Sequence, residues 1–381
     1  MNLQNKESDQ PAPPKPVEAA AGEPDLLVNN RWLGIAIFGG FVLAICYTLY
    51  FARELLLPIA LAMLFALLLQ PVMRAFRLLH LPEPAGALII VLGLLVAIGV
   101  GVYLLATPAT EWLHKAPASL PKLEQKFSEL ATPLQRIKKA TERVQQAASG
   151  ATAEPEPGTR KPREVTVKTS LLGSSTLWAG TESFVVSAVA TIILLYFLLA
   201  AGDLFLRKTV RVIPRFRDKV TAVEVVQEIE SEVGRYLFAI SVINFGLGCA
   251  IAAAMYLIGL PDAPLWGVMV MLLNFMPYVG ATISLIVLSA VALLTFDEIG
   301  HALLVPAVFL ACSIAEGQFI TPTLVGRHLT MNPVAIFLAL LFWGWLWGAA
   351  GLLIAVPMLV AFKIICAHVE SLAAFGEFLG R

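Results

Sequence analysis

Residues 265–296 read LWGVMVMLLNFMPYVGATISLIVLSAVALLTF and contain no Asp, Glu, Lys or Arg. As a continuous helix such a run would be long enough to cross hydrocarbon, which takes about 20 residues. Its middle, Asn274-Phe275-Met276-Pro277-Tyr278-Val279-Gly280, argues against continuity. Pro277 removes a helix donor and Gly280 permits a turn. Each half is short for a full crossing, so the stretch reads as a re-entrant hairpin that returns to the side it entered. Backbone that leaves the helix at membrane depth is tolerated only where it lines a cavity or packs on protein. The tip of this hairpin is therefore a candidate pathway.

A second interrupted stretch, 334–365, follows one ordinary apolar span (302–320). It is broken near Gly344, Gly348 and Gly351 and again at Pro357. Two short crossings per stretch would leave the same chain parity, so charge cannot separate the two arrangements; length favours hairpins. Working outward, further apolar segments cover about 32–52, 55–73, 85–107, 184–201 and 236–260. The chain is 58% hydrophobic and 14% charged, against roughly 45–50% and 25% in an ordinary soluble domain. The expected fold class is an all-α polytopic membrane protein with about eight hydrophobic segments, two of them interrupted, plus a soluble helical insert.

The expected organisation is a disordered polar tail (1–30) without a cleaved signal peptide, three spans (31–107) and an extracytoplasmic helical insert (108–177) with a flexible linker (149–164). A fourth span (178–201), a cytoplasmic basic amphipathic helix (202–235), a transporter core (236–368) and a cytoplasmic C-terminal tail (369–381) follow. Lys and Arg in short loops set orientation. Arg74 and Arg77 put the loop after the second span inside, and Arg207, Lys208, Arg211, Arg215, Arg217 and Lys219 do the same after the fourth. Pro261-Asp262-Ala263-Pro264 carries no cation and faces outward. Both termini then lie in the cytoplasm. Within the insert, Leu120, Leu123, Phe127, Leu130, Leu134, Ile137, Thr141 and Val144 alternate steps of three and four. This a/d seam asks for a partner helix and suggests a homo-oligomer, although the same stripe could rest on the protein itself or on lipid.

The chain shows no catalytic constellation. Its five His have no HExxH spacing, and GxSxG, GxxxxGK[ST] and a strand-to-helix GxGxxG are missing. Neither an enzyme nor an ATP-driven pump is expected. Cys46, Cys249, Cys312 and Cys366 are far apart, so no metal, cofactor or disulfide is expected. Zero net charge gives nucleic acid no bulk attraction. Polar residues at membrane depth are more informative, because an ionisable group there is costly and tends to face a cavity or a partner. Gln70, Asn244, Asn274, Glu316, Gln318 and Asn332 qualify, with Thr321, Pro322 and Arg327 following Gln318 in one short loop; Glu182, Asp297 and Glu298 sit at segment ends. Pro322 is expected to end the sixth span and let Arg327 fold back toward Glu316.

The segments YFLLAAGD (196–203), NFMPYVGATIS (274–284) and EGQFITPTLVGRHLTMNPVAIFLALLFWGWLWGAAGLLIAVPMLVAFKII (316–365) resemble, in this order, the signatures of the autoinducer-2 exporter family of permeases. The resemblance covers about 32–368. It implies a bacterial inner-membrane protein with a variable soluble insert after the third span, moving a small solute. Some relatives are assigned autoinducer-2 export and others resemble sodium or lithium/proton antiporters. The family's motif positions fall here on Pro277, Tyr278, Gly280, Gln318, Thr321, Pro322, Gly326, Asn332, Pro333, Gly348, Gly351 and Pro357. Read together, these features give a secondary transporter or exporter of a small polar solute or ion in the lipid bilayer. Its expected pathway residues are Asn274, Pro277, Tyr278, Gly280, Glu316, Gln318, Thr321, Arg327, Asn332, Gly348 and Gly351. A non-transporting membrane scaffold is the alternative of another class.

Overall fold

The computed structural model describes residues 26–115, 174–202, 216–325 and 331–369, with Leu372, Gly376 and Leu379. The seam 120–144, the linker 149–164, the basic residues 207–215 and Arg327 lie outside the described residues. Among the described residues the fold is all helical, and six helices are long and apolar enough to cross a membrane. Large apolar side chains face outward over much of the surface; Leu257 is 84% exposed, Tyr103 82% and Phe184 73%. Such a surface suits lipid and would be an aggregation hazard in water. The protein is a polytopic helical membrane protein.

The first helix, α1 (Leu26–Phe51), is apolar over Ala36–Phe51 and forms a unit of its own. The second unit, 52–381, holds everything else. Its helices are α2 (Arg53–Leu78), α3 (Glu83–Lys115), α4 (Ser174–Ala201), α5 (Phe216–Ile258), α6 (Ala263–Leu273), α7 (Val279–Thr295), α8 (Ile299–Leu324) and α9 (Pro333–His368). A cluster of Ala62 and Met73 (α2), Ala87, Ile90 and Val91 (α3) and Leu195 and Leu199 (α4) joins the first three of these. At one end of this group Arg77 and Glu83 form an ion pair at 3.0 Å. α3 continues through Pro108 to Lys115, since neighbouring groups can satisfy the freed carbonyl in a membrane helix.

α5 has 43 residues, about 65 Å at 1.5 Å per residue, twice the ~30 Å hydrocarbon thickness. Its first half, 216–235, carries the charges and its second half is apolar. Against the second half packs the hairpin of α6 and α7. Gly248 and Gly267 form the crossing: a Cβ on Gly267 would stand 2.5 Å from the Gly248 carbonyl oxygen. A buried cluster built on Ile251, Met255, Trp266, Val270, Leu288, Val305 and Phe309 ties α5, α6, α7 and α8 together.

At 11 and 17 residues, α6 and α7 are about 16 and 25 Å long, each short of a crossing. The end of α7 returns to where α6 began. His301 Nε2 lies 3.0 Å from the Ile258 carbonyl, and Phe296 stacks on the His301 ring. The interruption in α9 has the same consequence. Trp347 and Gly348 leave the helix, Gly348 at φ 62°, ψ −139°, a region that glycine occupies without penalty. The arms 333–346 and 349–368 then run side by side, Ala335 to Trp343 facing Met358 to Ile365 across a cleft of about 530 Å³. At the base of this second hairpin His368 Nε2 lies 3.4 Å from Glu228 of α5. Ile258 and Glu228 stand about 45 Å apart along α5, so the two hairpins enter from opposite ends of the same long helix.

Candidate functional site

The tip of the first hairpin is a strained turn. Asn274 ends α6, and the Val279 N–H donates to the Pro277 carbonyl at 2.7 Å across Tyr278, whose φ and ψ are 62° and −49°. These are the angles of the rare γ-turn, unusual for a residue with a side chain and typical of sites where the surroundings over-determine the backbone. Gly280 makes the return possible, because a Cβ there would fall 1.8 Å from the Leu273 carbonyl oxygen. The second hairpin repeats the device: a Cβ on Gly351 would fall 1.8 Å from the Trp343 carbonyl oxygen.

The two hairpins share a cavity of about 340 Å³ with α2 and α5. The first hairpin contributes Leu272, Leu273, Phe275 and Met276, and the second arm of the other contributes Leu353, Val356 and Pro357. Leu64, Phe65 and Leu68 of α2 and Tyr236, Leu237 and Ile240 of α5 complete the wall. No lining residue carries a charge. Polar groups gather at its edge. Asn274, between two lining residues, donates through Nδ2 to Asn244 Oδ1 at 2.8 Å. Asn244 lies one turn beyond Ile240 and is 1% exposed. Among the described residues its own Nδ2, like Ser241 Oγ, has no hydrogen-bond partner. Buried donors of this kind are rare in folded proteins and call for an explanation.

A second polar feature lies on α8, which widens into a π-helical turn at Glu316–Ile320 before Thr321–Val325 resume the α-helix. The Thr321 hydroxyl donates to the Glu316 carboxylate. The expectation that Pro322 ends this span is corrected: the helix runs through Pro322 to Val325. A proline clashes with the carbonyl four residues back in a regular helix, and the wider π-turn just before it makes room. Single π-turns recur at functional sites.

Of the expected pathway residues, the structure places Asn274, Pro277, Tyr278 and Gly280 on the first tip, and Gly351 at the start of the cavity-lining arm. Gly348 forms the exposed second turn. Glu316 and Thr321 meet on the π-turn, and Gln318 is exposed beside them. Asn332 caps α9, its Oδ1 accepting from the Val334 N–H at 3.0 Å. Sequence reasoning did not find Ser241 or the pairing of Asn244 with Asn274. It also missed a clasp at the far end of α3. There the Trp112 indole N–H donates to Asp262 at 2.9 Å and packs edge-on against Trp266, with ring centroids 5.3 Å apart.

Paired hairpins of broken helices that enter from opposite ends and meet on a cavity are a recurring arrangement in helical membrane proteins. Residues 40–371 match the sequence family described as AI-2E family transporter. The chain belongs to that family. Among its relatives, the AI-2 transport protein TqsA of Escherichia coli (strain K12) is 26% identical over 350 residues, covering 89% of this chain and 93% of its own. YhhT of the same strain, provisionally named as a transport protein, is 26% identical over 320 residues, or 82% of this chain and 84% of its own. A Haemophilus influenzae protein with a similarly provisional name is 25% identical over 362 residues, or 93% and 97%. This AI-2E family member is a multi-pass membrane transport protein.

Proposed function

We propose that this protein is a secondary transporter that carries a small, uncharged polar solute outward across the bacterial inner membrane, with autoinducer-2 as the first solute to test. The observation that carries the reading is the wall of the shared cavity. It is apolar and bears no charged residue, and the paired amides of Asn274 and Asn244 lie at its edge. An ion moved into such a wall would leave its hydration shell without compensation, whereas a neutral solute gives up far less hydration on entering it. The relative TqsA is named for AI-2 transport, which supports the choice of test solute. Inside placement of Arg74 and Arg77 supports cytoplasmic termini.

The second reading, sodium or lithium/proton antiport, is favoured by Glu316 and its hydrogen bond from Thr321 on the π-turn. Flux into and out of reconstituted vesicles separates the two. The proposal expects labelled autoinducer-2 or a related neutral polyol to cross without ATP. Sodium- or lithium-driven proton movement with no solute flux establishes the antiporter, and a protein that moves none of these under any gradient refutes transport altogether.

A further inference from the structure

A second cavity of about 340 Å³ lies between α2 and α5 where the charged half of α5 gives way to the apolar half. Gln70, Arg74, Glu230, Ser231, Arg235 and Phe238 line it, with Pro71 and Gly234. Behind it the helices touch, since a Cβ on Gly234 would stand 3.0 Å from the Leu67 carbonyl oxygen. The pocket is therefore closed at the back and open at the surface. Its charges are of both signs and come from both helices. Arg74 donates to Gln70 Oε1 at 3.3 Å, and Gln70 Nε2 donates to Glu230 Oε2 at 3.1 Å. Arg235 reaches Ser231 at 3.4 Å and pairs with Glu232 at 2.7 Å. The Arg235 side chain is 69% exposed, so that pair is weak and readily exchanged for a better anion. At the apolar edge Phe238 is 44% exposed.

Two guanidiniums, one carboxylate and an apolar rim at the polar boundary of a membrane helix fit one kind of ligand. We propose that this pocket, independently of the transport reading, binds the head group of a zwitterionic phospholipid carrying a primary ammonium, such as phosphatidylethanolamine. Arg74, Arg235 and the Ser231 hydroxyl receive the phosphate, because guanidinium and phosphate form short charge-assisted bonds. Glu230, with one oxygen held by Gln70, accepts from the ammonium. The glycerol and first acyl carbons lie over Phe238. An anionic lipid without the ammonium would leave Glu230 facing a phosphate, and a trimethylated ammonium has no N–H to donate.

Native mass spectrometry of the full chain in mild detergent, titrated with phosphatidylethanolamine, phosphatidylglycerol and phosphatidylcholine, tests this. Wild type is expected to retain the ethanolamine lipid about tenfold better than either other lipid. Arg74→Gln with Arg235→Gln should remove that retention. Glu230→Gln should reverse the preference toward phosphatidylglycerol, a change of selectivity that misfolding cannot mimic. If the double arginine variant does not elute as wild type, Arg235→Gln alone, at an exposed position, is expected to lower retention several-fold. Equal retention of all three lipids by wild type, or an unaltered preference in Glu230→Gln, overturns the proposal. Binding of soluble phosphoethanolamine without retention of any lipid overturns the lipid assignment in favour of a free zwitterion.

Discussion

Replacing Gly280 by alanine places one methyl group against backbone that has no room for it. The new Cβ would fall 1.8 Å from the Leu273 carbonyl oxygen and 2.4 Å from its carbon, where even a close C···O contact needs roughly 3.3 Å. The hairpin must open by about 1.5 Å on that scale, against an adjoining turn already held at positive φ by Tyr278. Overpacking of a core costs about 1–3 kcal/mol. The upper end applies because the obstacle is backbone and cannot change rotamer. A cost of about 3 kcal/mol lowers the melting temperature by roughly 4 °C in a chain of this size, and opening the tip disturbs the cavity wall at Leu273 and Met276. The control is Gly246→Ala on α5, whose Cβ would have no neighbour within 4 Å. Alanine there should be neutral or stabilising by up to about 1 kcal/mol. Thermal unfolding in detergent and vesicle flux, measured on both variants, decide the matter. If Gly280→Ala melts and transports like Gly246→Ala, the close approach is not a constraint and the reasoning fails.

Asn274→Leu removes the 2.8 Å bond to Asn244 and should destabilise by about 1–3 kcal/mol, since it strands a buried amide. Adding Asn244→Leu should recover most of that stability while solute flux stays lost, and recovery of flux would show that the pair is structural only. Glu316→Gln keeps an acceptor for Thr321, so melting should hold while any dependence of transport on a proton or sodium gradient disappears; an unchanged ion dependence removes Glu316 from coupling. For the segment 120–144, Phe127→Asp with Leu134→Asp should shift the native mass toward monomer if the a/d seam is an interface, and a constant mass rejects it.

Much of the membrane fold is legible in the sequence, because an apolar run of crossing length has few other solutions and Pro277, Gly280 and the 344–351 glycines mark where such a run must turn. What is not legible is what joins distant elements. Asn244 and Asn274 each read as an isolated polar residue; only the crossing at Gly248 and Gly267 explains how they come within 2.8 Å. The π-turn is hidden for a similar reason. Glu316 to Ile320 carry no signal for an i→i+5 register, and Pro322 read locally is a stop, whereas the wider turn converts it into a tolerated position. Asp262 precedes α6 as a good N-cap would, yet it adopts φ 56° and gives its carboxylate to Trp112, leaving the helix without a side-chain cap. That exchange of a local bond for a long-range one fastens the last turns of α3, which lead into the 116–173 region, to the root of the first hairpin. Trp112 thereby packs on Trp266 of α6, the short helix whose other end supplies Leu272 and Leu273 to the cavity wall, so one rigid element of about three turns joins the end of α3 to the cavity.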